Sequence, residues 1–153
     1  MNFAPLETNR LQLRRFEQAD LRALAYLLGD NGIPPIPLPD LPLNNTRDLL
    51  AWIEACHADM VTGVRYTFGC WKRMDHTLLG IVSLSVGDSK GEVGFWFIEQ
   101  SCGHGYEVEA LLRIKELALD GLYLPHLYAA ADPANRNVAN TVKKLGAKLV
   151  QRN

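Results

Sequence analysis

The stretch Gln100-Ser101-Cys102-Gly103-His104-Gly105-Tyr106 constrains the fold of this chain more than any other. An apolar run, Val93 to Ile98, precedes it, and a helix-like run, Glu107 to Leu119, follows. A strand, a tight turn with two glycines and a helix form the layout of an anion cradle. Glycine lets the backbone approach a phosphate closely. The first N–H groups of a helix lack internal partners, and the helix dipole adds positive character at the same place. Taken alone, the glycine pair also fits an ordinary turn.

The flanking segments supply an α/β framework. Arg10 to Phe16 alternates Leu11 and Leu13 with Gln12 and Arg14, the pattern of a half-buried strand. Ala19 to Leu28 places Leu21, Leu24, Ala25 and Leu28 on one helical face, which Gly29-Asp30-Asn31-Gly32 should end. Five of the eight prolines fall in residues 33–43, which forbids a regular helix or central strand and implies an extended connector. A proline-rich ligand for another protein's aromatic groove is the other reading. Thr46 is the expected N-cap of a helix to about Met60, with Leu49, Leu50, Ile53, Cys56 and Met60 facing inward. His57 should lie at its boundary with solvent.

Three strands joined by short turns are expected next, at Val64–Trp71, Leu78–Val86 and Glu92–Ile98, as an antiparallel meander. In the first, Val64, Tyr66, Phe68 and Cys70 alternate with Arg65, Thr67 and Gly69. The helix after Gly105 should gather Val108, Leu111, Leu112, Lys115 and Leu119 and end at Gly121, with Pro125 blocking its continuation. His126 to Ala131 is a strand reached by a right-handed crossover, hence parallel to its neighbour. Asn135 to Leu145 reads as a short helix capped by Gly146, and Ala147 to Gln151 as a last strand. The expected architecture is one α/β (α+β) domain over residues 1–153. Its sheet is mixed and mainly antiparallel, with helices on both faces and one parallel pair.

Several short motifs then occur in a telling order. Gln100-x-x-Gly103-x-Gly105 resembles the Q/R-x-x-G-x-G/A signature of the GNAT acetyltransferase superfamily. Gly91-Glu-Val-Gly-Phe-Trp-Phe97 and Gly103-His-Gly-Tyr-Glu-Val-Glu-Ala110 are similar to its ribosomal-protein-alanine (RimJ/RimL-like) branch. So are Asp132-Pro133-Ala134-Asn135, Lys144-Leu145-Gly146 and the opening Leu6-Glu-Thr-Asn-Arg-Leu-Gln-Leu-Arg14. The resemblance covers nearly the whole chain. It implies acetyl-coenzyme A held between two parallel strands that splay apart, here Gly94–Ile98 and His126–Ala131. The diphosphate would rest on the N–H groups of Gly103, His104, Gly105 and Tyr106, behind Gln100. Pantetheine would pair with the backbone of Phe97 and Ile98, and Asn135 would stand beside it. Asn135 serves equally as a helix N-cap.

The implied reaction is direct acetyl transfer to a primary amine, on a protein N-terminus, an amino acid or a small molecule. The amine must first lose a proton, and Glu92, on the strand leading to the donor, is the candidate base. An exposed strand-end carboxylate is its plainer reading, and a water chain could also carry the proton. A splayed strand offers a backbone N–H near Phe97 to the developing oxyanion.

The chain departs from its branch in three places. Val138 and Val142 stand where relatives carry a serine or a tyrosine, and many members have a strand beyond the one starting at Ala147. Either the sequence is short, or a neighbouring copy in a homodimer supplies that edge, or the sheet is open there. A non-catalytic acetyl-coenzyme A sensor is therefore the alternative. A dinucleotide-binding enzyme fits less well, because Val108 occupies the place of the third glycine.

Composition narrows the partners. A net charge of −1 gives no pull toward nucleic acid or an anionic membrane. No apolar run approaches the ~20 residues that span a bilayer, and the first residues do not read as a signal peptide. The three cysteines, Cys56, Cys70 and Cys102, show no pairing pattern and suit a reducing cytoplasm. Cys56 and Cys70 read as core residues, and Cys102, in the loop, lacks the partners of a nucleophile. The four histidines have no ligand spacing, so no metal is expected.

Overall fold

The computed structural model describes residues 4–31, 45–101, 103–131 and 148–151. Seven strands form one sheet in sequential order: β1 (Leu6–Glu7), β2 (Leu11–Arg14), β3 (Arg65–Lys72), β4 (Leu78–Val86), β5 (Lys90–Phe97), β6 (His126–Ala131) and β7 (Lys148–Gln151). The pairings from β1 to β5 are antiparallel, and β5–β6 and β6–β7 are parallel. Helices α1 (Leu21–Asn31) and α2 (Thr46–Thr62) lie between β2 and β3, and α3 (Tyr106–Glu116) lies between β5 and β6. The mixed, mainly antiparallel sheet matches the architecture expected. The proline-rich segment 33–43, the helix expected over 135–145 with its Gly146 cap, Val138, Val142, Cys102 and Asn135 lie outside the described residues.

Two apolar clusters cover the two faces of the sheet. Leu11, Leu13, Phe68, Val82 and Val93 pack with Ala110, Leu111 and Ile114 of α3. Phe16, Trp71 and Ile81 pack with Leu24 of α1 and with Trp52, Ile53 and Cys56 of α2. This double cover buries both sides of β3, which its alternation does not announce. Thr67 is as inaccessible as Cys70, and Trp71 is buried too, because a central strand between two helical layers has no solvent side.

The helices start and stop by local chemistry, with small corrections. The N-cap of α2 is Asn45, whose side chain accepts from Asp48 N–H at 2.9 Å, and Thr46 is the first helical residue. Gly63, at φ 77°, ends α2 in the left-handed conformation. Trp52 takes the place expected for Leu50 on the buried face, and Leu50 is half-buried. His57 sits at the boundary as expected, its Nε2 2.5 Å from Phe16 O. On α3 the buried residues are Ala110, Leu111 and Ile114, and Leu112 is exposed. The small Ala110 side chain lets that face approach the sheet, which the larger apolar residues around it concealed. A π-helical turn, Leu117–Gly121, closes α3 where Gly121 was expected to end it.

Cys56 and Cys70 are free and buried, and burial pushes the Cys56 thiol up to about 12 and the Cys70 thiol higher still. Both are protonated at neutral pH, as expected of core residues.

The entry to α1 depends on one buried carboxylate. Asp20, 8% exposed, accepts from Arg14 Nη1 at 2.7 Å, Arg14 Nη2 at 3.0 Å and Glu17 N–H at 2.8 Å. The Arg14 guanidinium also lies 4.1 Å from the Trp71 ring centroid. Asp20→Ala leaves these donors unanswered and should cost about 2 kcal/mol, as for hydrogen bonds to a charged group. Chemical denaturation of the variant against the parent measures this directly; a loss below 0.5 kcal/mol, the range of ordinary surface changes (~0.5), would contradict it.

Candidate active site

The ladder between β5 and β6 stops halfway. The strands pair at Lys90↔His126, Gly91↔Leu127, Glu92↔Tyr128 and Val93↔Ala129. Beyond that point β6 continues beside β7 to Ala131, while β5 continues beside β4 to Phe97. The parallel pair therefore splays, and Gly94 to Phe97 forms an edge facing a gap.

The direction of the amides along that edge follows from strand alternation. Ile98 N–H donates to Leu79 O at 2.9 Å, so this pair is hydrogen-bonded across β4 and β5. Antiparallel pairs alternate, which sends the backbone groups of Trp96 and Gly94 toward β4 and those of Phe95 and Phe97 toward the gap. Gly80 permits this arrangement. A Cβ there would lie 2.3 Å from Trp96 O and 2.9 Å from Phe97 Cα, so β4 hugs β5 where β5 has left β6. Phe97 thus presents its main chain to the gap. Ile98 does not, because its N–H goes to Leu79 and its C=O accepts from Ser101 N at 3.0 Å and Ser101 Oγ at 2.8 Å. The main chain of Ile98 is thus engaged within the fold.

Glu92 stands one residue before the last paired position, opposite Ser85 on β4 and Tyr128 on β6. Alternation places its side chain on the face opposite Val93, Phe95 and Phe97, which pack on the α3 side. A carboxylate therefore lies at the crotch of the fork, half-buried, on the face of α1 and α2.

The cradle lies at the other end of the same edge. Glu99–Ser101 forms one 3-10 turn, and the chain then turns through Gly103 (φ 86°) and Gly105 (φ 81°) into α3. Both values lie in the left-handed region that glycine adopts without strain. A Cβ at Gly103 would meet nothing within 4 Å, so its backbone borders open space. Gly105 is the N-cap of α3, and the opening N–H groups of that helix, from Tyr106 on, have no partner four residues back. Gln100 is exposed beside two cavities. One of about 290 Å³ also touches His104 and Tyr106, and one of about 710 Å³ reaches Leu27, Tyr26 and Arg22 of α1. Open backbone at two left-handed glycines, a helix start of eleven residues and an unpaired strand edge suit a diphosphate followed by an extended amide chain.

Three residues that sequence reasoning passed over brace the cradle. Arg10 Nη1 donates to His104 O at 3.0 Å, its Nε to Glu109 Oε1 at 2.7 Å and its main-chain N–H to Glu109 Oε2 at 2.8 Å. Its guanidinium lies 4.2 Å from the Tyr106 ring centroid. The Thr8 hydroxyl donates to Glu109 Oε2 as well. Burial alone would raise the Glu109 carboxyl, but the hydrogen bonds from Thr8 and Arg10 and the Arg10 charge outweigh it and hold the group below its usual range. The only local hints were the acidic residue in the first turn of α3 and the charged residue at the start of β2.

Among the described residues no group of three or more His, Cys, Asp or Glu is arranged to hold a metal ion, and no helix is long and apolar enough to cross a membrane.

Comparison with known proteins agrees with this geometry. The family model described as an acetyltransferase (GNAT) domain matches residues 10–148. Among solved structures, the ribosomal-protein-S5-alanine acetyltransferase of Vibrio fischeri superposes with a TM-score of 0.77 at 17% identity, over 94% of this chain and 82% of that one. RimL, a ribosomal L7/L12 alpha-N-protein acetyltransferase in complex with coenzyme A, gives 0.80 at 13% identity, over 93% and 82%. The microcin C7 self-immunity acetyltransferase MccE, in complex with acetyl-CoA and AMP, gives 0.78 at 16% identity, over 91% and 79%. At these identities the likeness is one of fold. No curated protein matches the chain by sequence. The family match spans most of the chain, and it belongs to the GNAT acetyltransferases, acyltransferases that use acetyl-coenzyme A as co-substrate.

Proposed function

We propose that this acetyltransferase acts on a primary amine, that of a peptide N-terminus or of a small amine-bearing molecule, by direct attack within the fork. The observation that carries the proposal is that β5 bears every part needed in order: a carboxylate at Glu92, main chain at Phe95 and Phe97 without a strand partner on the gap side among the described residues, and the glycine cradle just beyond. Two of the superposed structures are enzymes named for ribosomal-protein substrates, which supports a protein N-terminus within that class.

The bound donor supplies an activated acetyl thioester. The chain does the rest by holding and polarising. Gly103, His104, Gly105 and Tyr106 offer main-chain amides to the diphosphate, with Gln100 leading into the turn. Phe97 offers backbone to the pantetheine amides, and Asn135 keeps the role beside them that the resemblance implies. An amine near neutral pH is mostly protonated, so Glu92 accepts its proton directly or through a water before attack. The outward N–H groups of Phe95 and Phe97 lie where negative charge on the acetyl oxygen would be met. Holding both reactants in line supplies much of the remaining acceleration.

Three expected outcomes test this reading. Acetyl-coenzyme A at about 100 times its dissociation constant should stabilise the protein by about 2.7 kcal/mol, seen as a rise in Tm, whereas NAD and ATP should give none. Gly105→Glu should abolish that rise, since a side chain is strained at φ 81° and its Cβ would lie 3.4 Å from Arg10 Nη2, distorting the turn; an unchanged response in a folded variant contradicts the placement of the diphosphate. Glu92→Gln should lower kcat about 10²-fold or more, the usual contribution of a general base, and remove the acidic limb of the pH–rate profile. Release of free thiol over a panel of peptides and amines reads this out, and failure of every amine to turn over rejects the proposed acceptor class.

A further inference from the structure

We propose that Arg10 is a positioning residue for the cofactor diphosphate, fixing the direction of the cradle amides through Glu109 and the His104 carbonyl. The inference rests on the cofactor reading above and concerns how the site is made ready, which the family match does not address.

The turn is weak by itself. Gly103 and Gly105 both have positive φ and no side chains to anchor them, and a glycine loses more freedom on ordering than any other residue. A turn built this way would bind an anion poorly if it had to be ordered at the moment of binding. Arg10 grips it on both sides of Gly105: His104 O before the turn, and the Tyr106 ring and Glu109 carboxylate after it. A Cβ on Gly105 would lie 3.4 Å from Arg10 Nη2, which shows how closely the guanidinium underlies the turn.

The grip also has a direction. In a trans peptide the C=O and the N–H point opposite ways. With the His104 carbonyl fixed on Arg10, the N–H of the same peptide, that of Gly105, is turned away from Arg10. The main-chain N–H of Arg10 and the Thr8 hydroxyl hold the second oxygen of Glu109, so the brace is anchored on the segment leading into β2. Glu109 offsets the Arg10 charge at 2.7 Å, which makes the arginine a brace for the amides rather than a free cation for the phosphates.

That distinction fixes the sign of the test. Isothermal titration with coenzyme A is run on the parent, Arg10→Gln, Arg10→Lys and Glu109→Gln, with Arg65→Gln as a remote control of equal charge change; Arg65 pairs with Asp59 at the other end of β3. Arg10→Gln and Glu109→Gln should each raise Kd about tenfold, equivalent to 1.4 kcal/mol. Arg10→Lys should not restore binding, because an ammonium lacks the planar fork. In steady state the loss should fall on KM for acetyl-coenzyme A, with kcat near that of the parent. Arg65→Gln should stay within about twofold, the scatter expected for a distant charge at physiological salt.

A Glu109→Gln variant that binds as tightly as the parent, or tighter, overturns the proposal, since freeing the Arg10 charge would then help the anion. A fall in Tm without a change in Kd across the variants overturns it as well and leaves a purely structural pair. Glu109→Gln is nearly isosteric, so the question stays decidable if an Arg10 variant fails to fold. A parent that does not bind coenzyme A defeats the cofactor reading and this inference together, whereas a parent that binds with unaffected variants defeats this inference alone.

Discussion

A parallel strand pair that stops bonding halfway leaves main-chain amides without partners, and the site depends on that constraint. Buried backbone groups are normally paired, so an edge such as Phe95–Phe97 persists because something else can answer it. The sheet keeps this edge open by recruiting β6 to β7 beyond Ala129 and by pressing β5 against β4 at Gly80. Neither strand is left loose: β6 takes β7 as a neighbour, and β5 keeps β4 along its whole length.

The two helical layers make the gap usable. On one face α3 packs its small Ala110 side toward Val93 and Phe97, which sets the helix start at the end of β5. On the other, α1 and α2 bury Trp71 and Ile81 and leave Glu92 half-covered at the crotch. Under the proposed function, donor and acceptor would approach the fork from different faces, which suits holding them in line.

What the sequence disclosed follows from the range of the forces involved. β4 and β6 matched their expected spans residue for residue, and β2, β3, β5 and β7 fell within a few positions, because period-two patterning and turn residues are local signals, whereas the two-residue β1 is too short to carry one. The cradle was legible because positive φ at Gly103 and Gly105 needs glycine itself. The burial of Thr67 and Trp71 was not, since a strand covered on both faces loses the alternation that marks a half-buried one. The bonds of the Ile98 main chain to Leu79 and Ser101 were not legible, because no pattern within β5 records which side its last amide faces. The bond from Arg10 to Glu109 joins residues 99 positions apart, and two charged residues that far apart in sequence carry no mark of being neighbours.

That long-range bond gives the sheet a role beyond support. The cradle and the fork share β5, yet each is held from a different side: the fork by the β4 and β6 ladders, the cradle by the segment leading into β2 through Arg10. The antiparallel ladders through β3 and β4 connect those anchors, and α3 packs against both β2 and β5. Under the proposed function, a donor gripped by its diphosphate in the cradle must bring its thioester to Glu92. Strand spacing is among the least deformable distances in a folded chain. A brace tied to β2 therefore measures the cradle against the fork across the sheet, which a brace from a surface loop could not do.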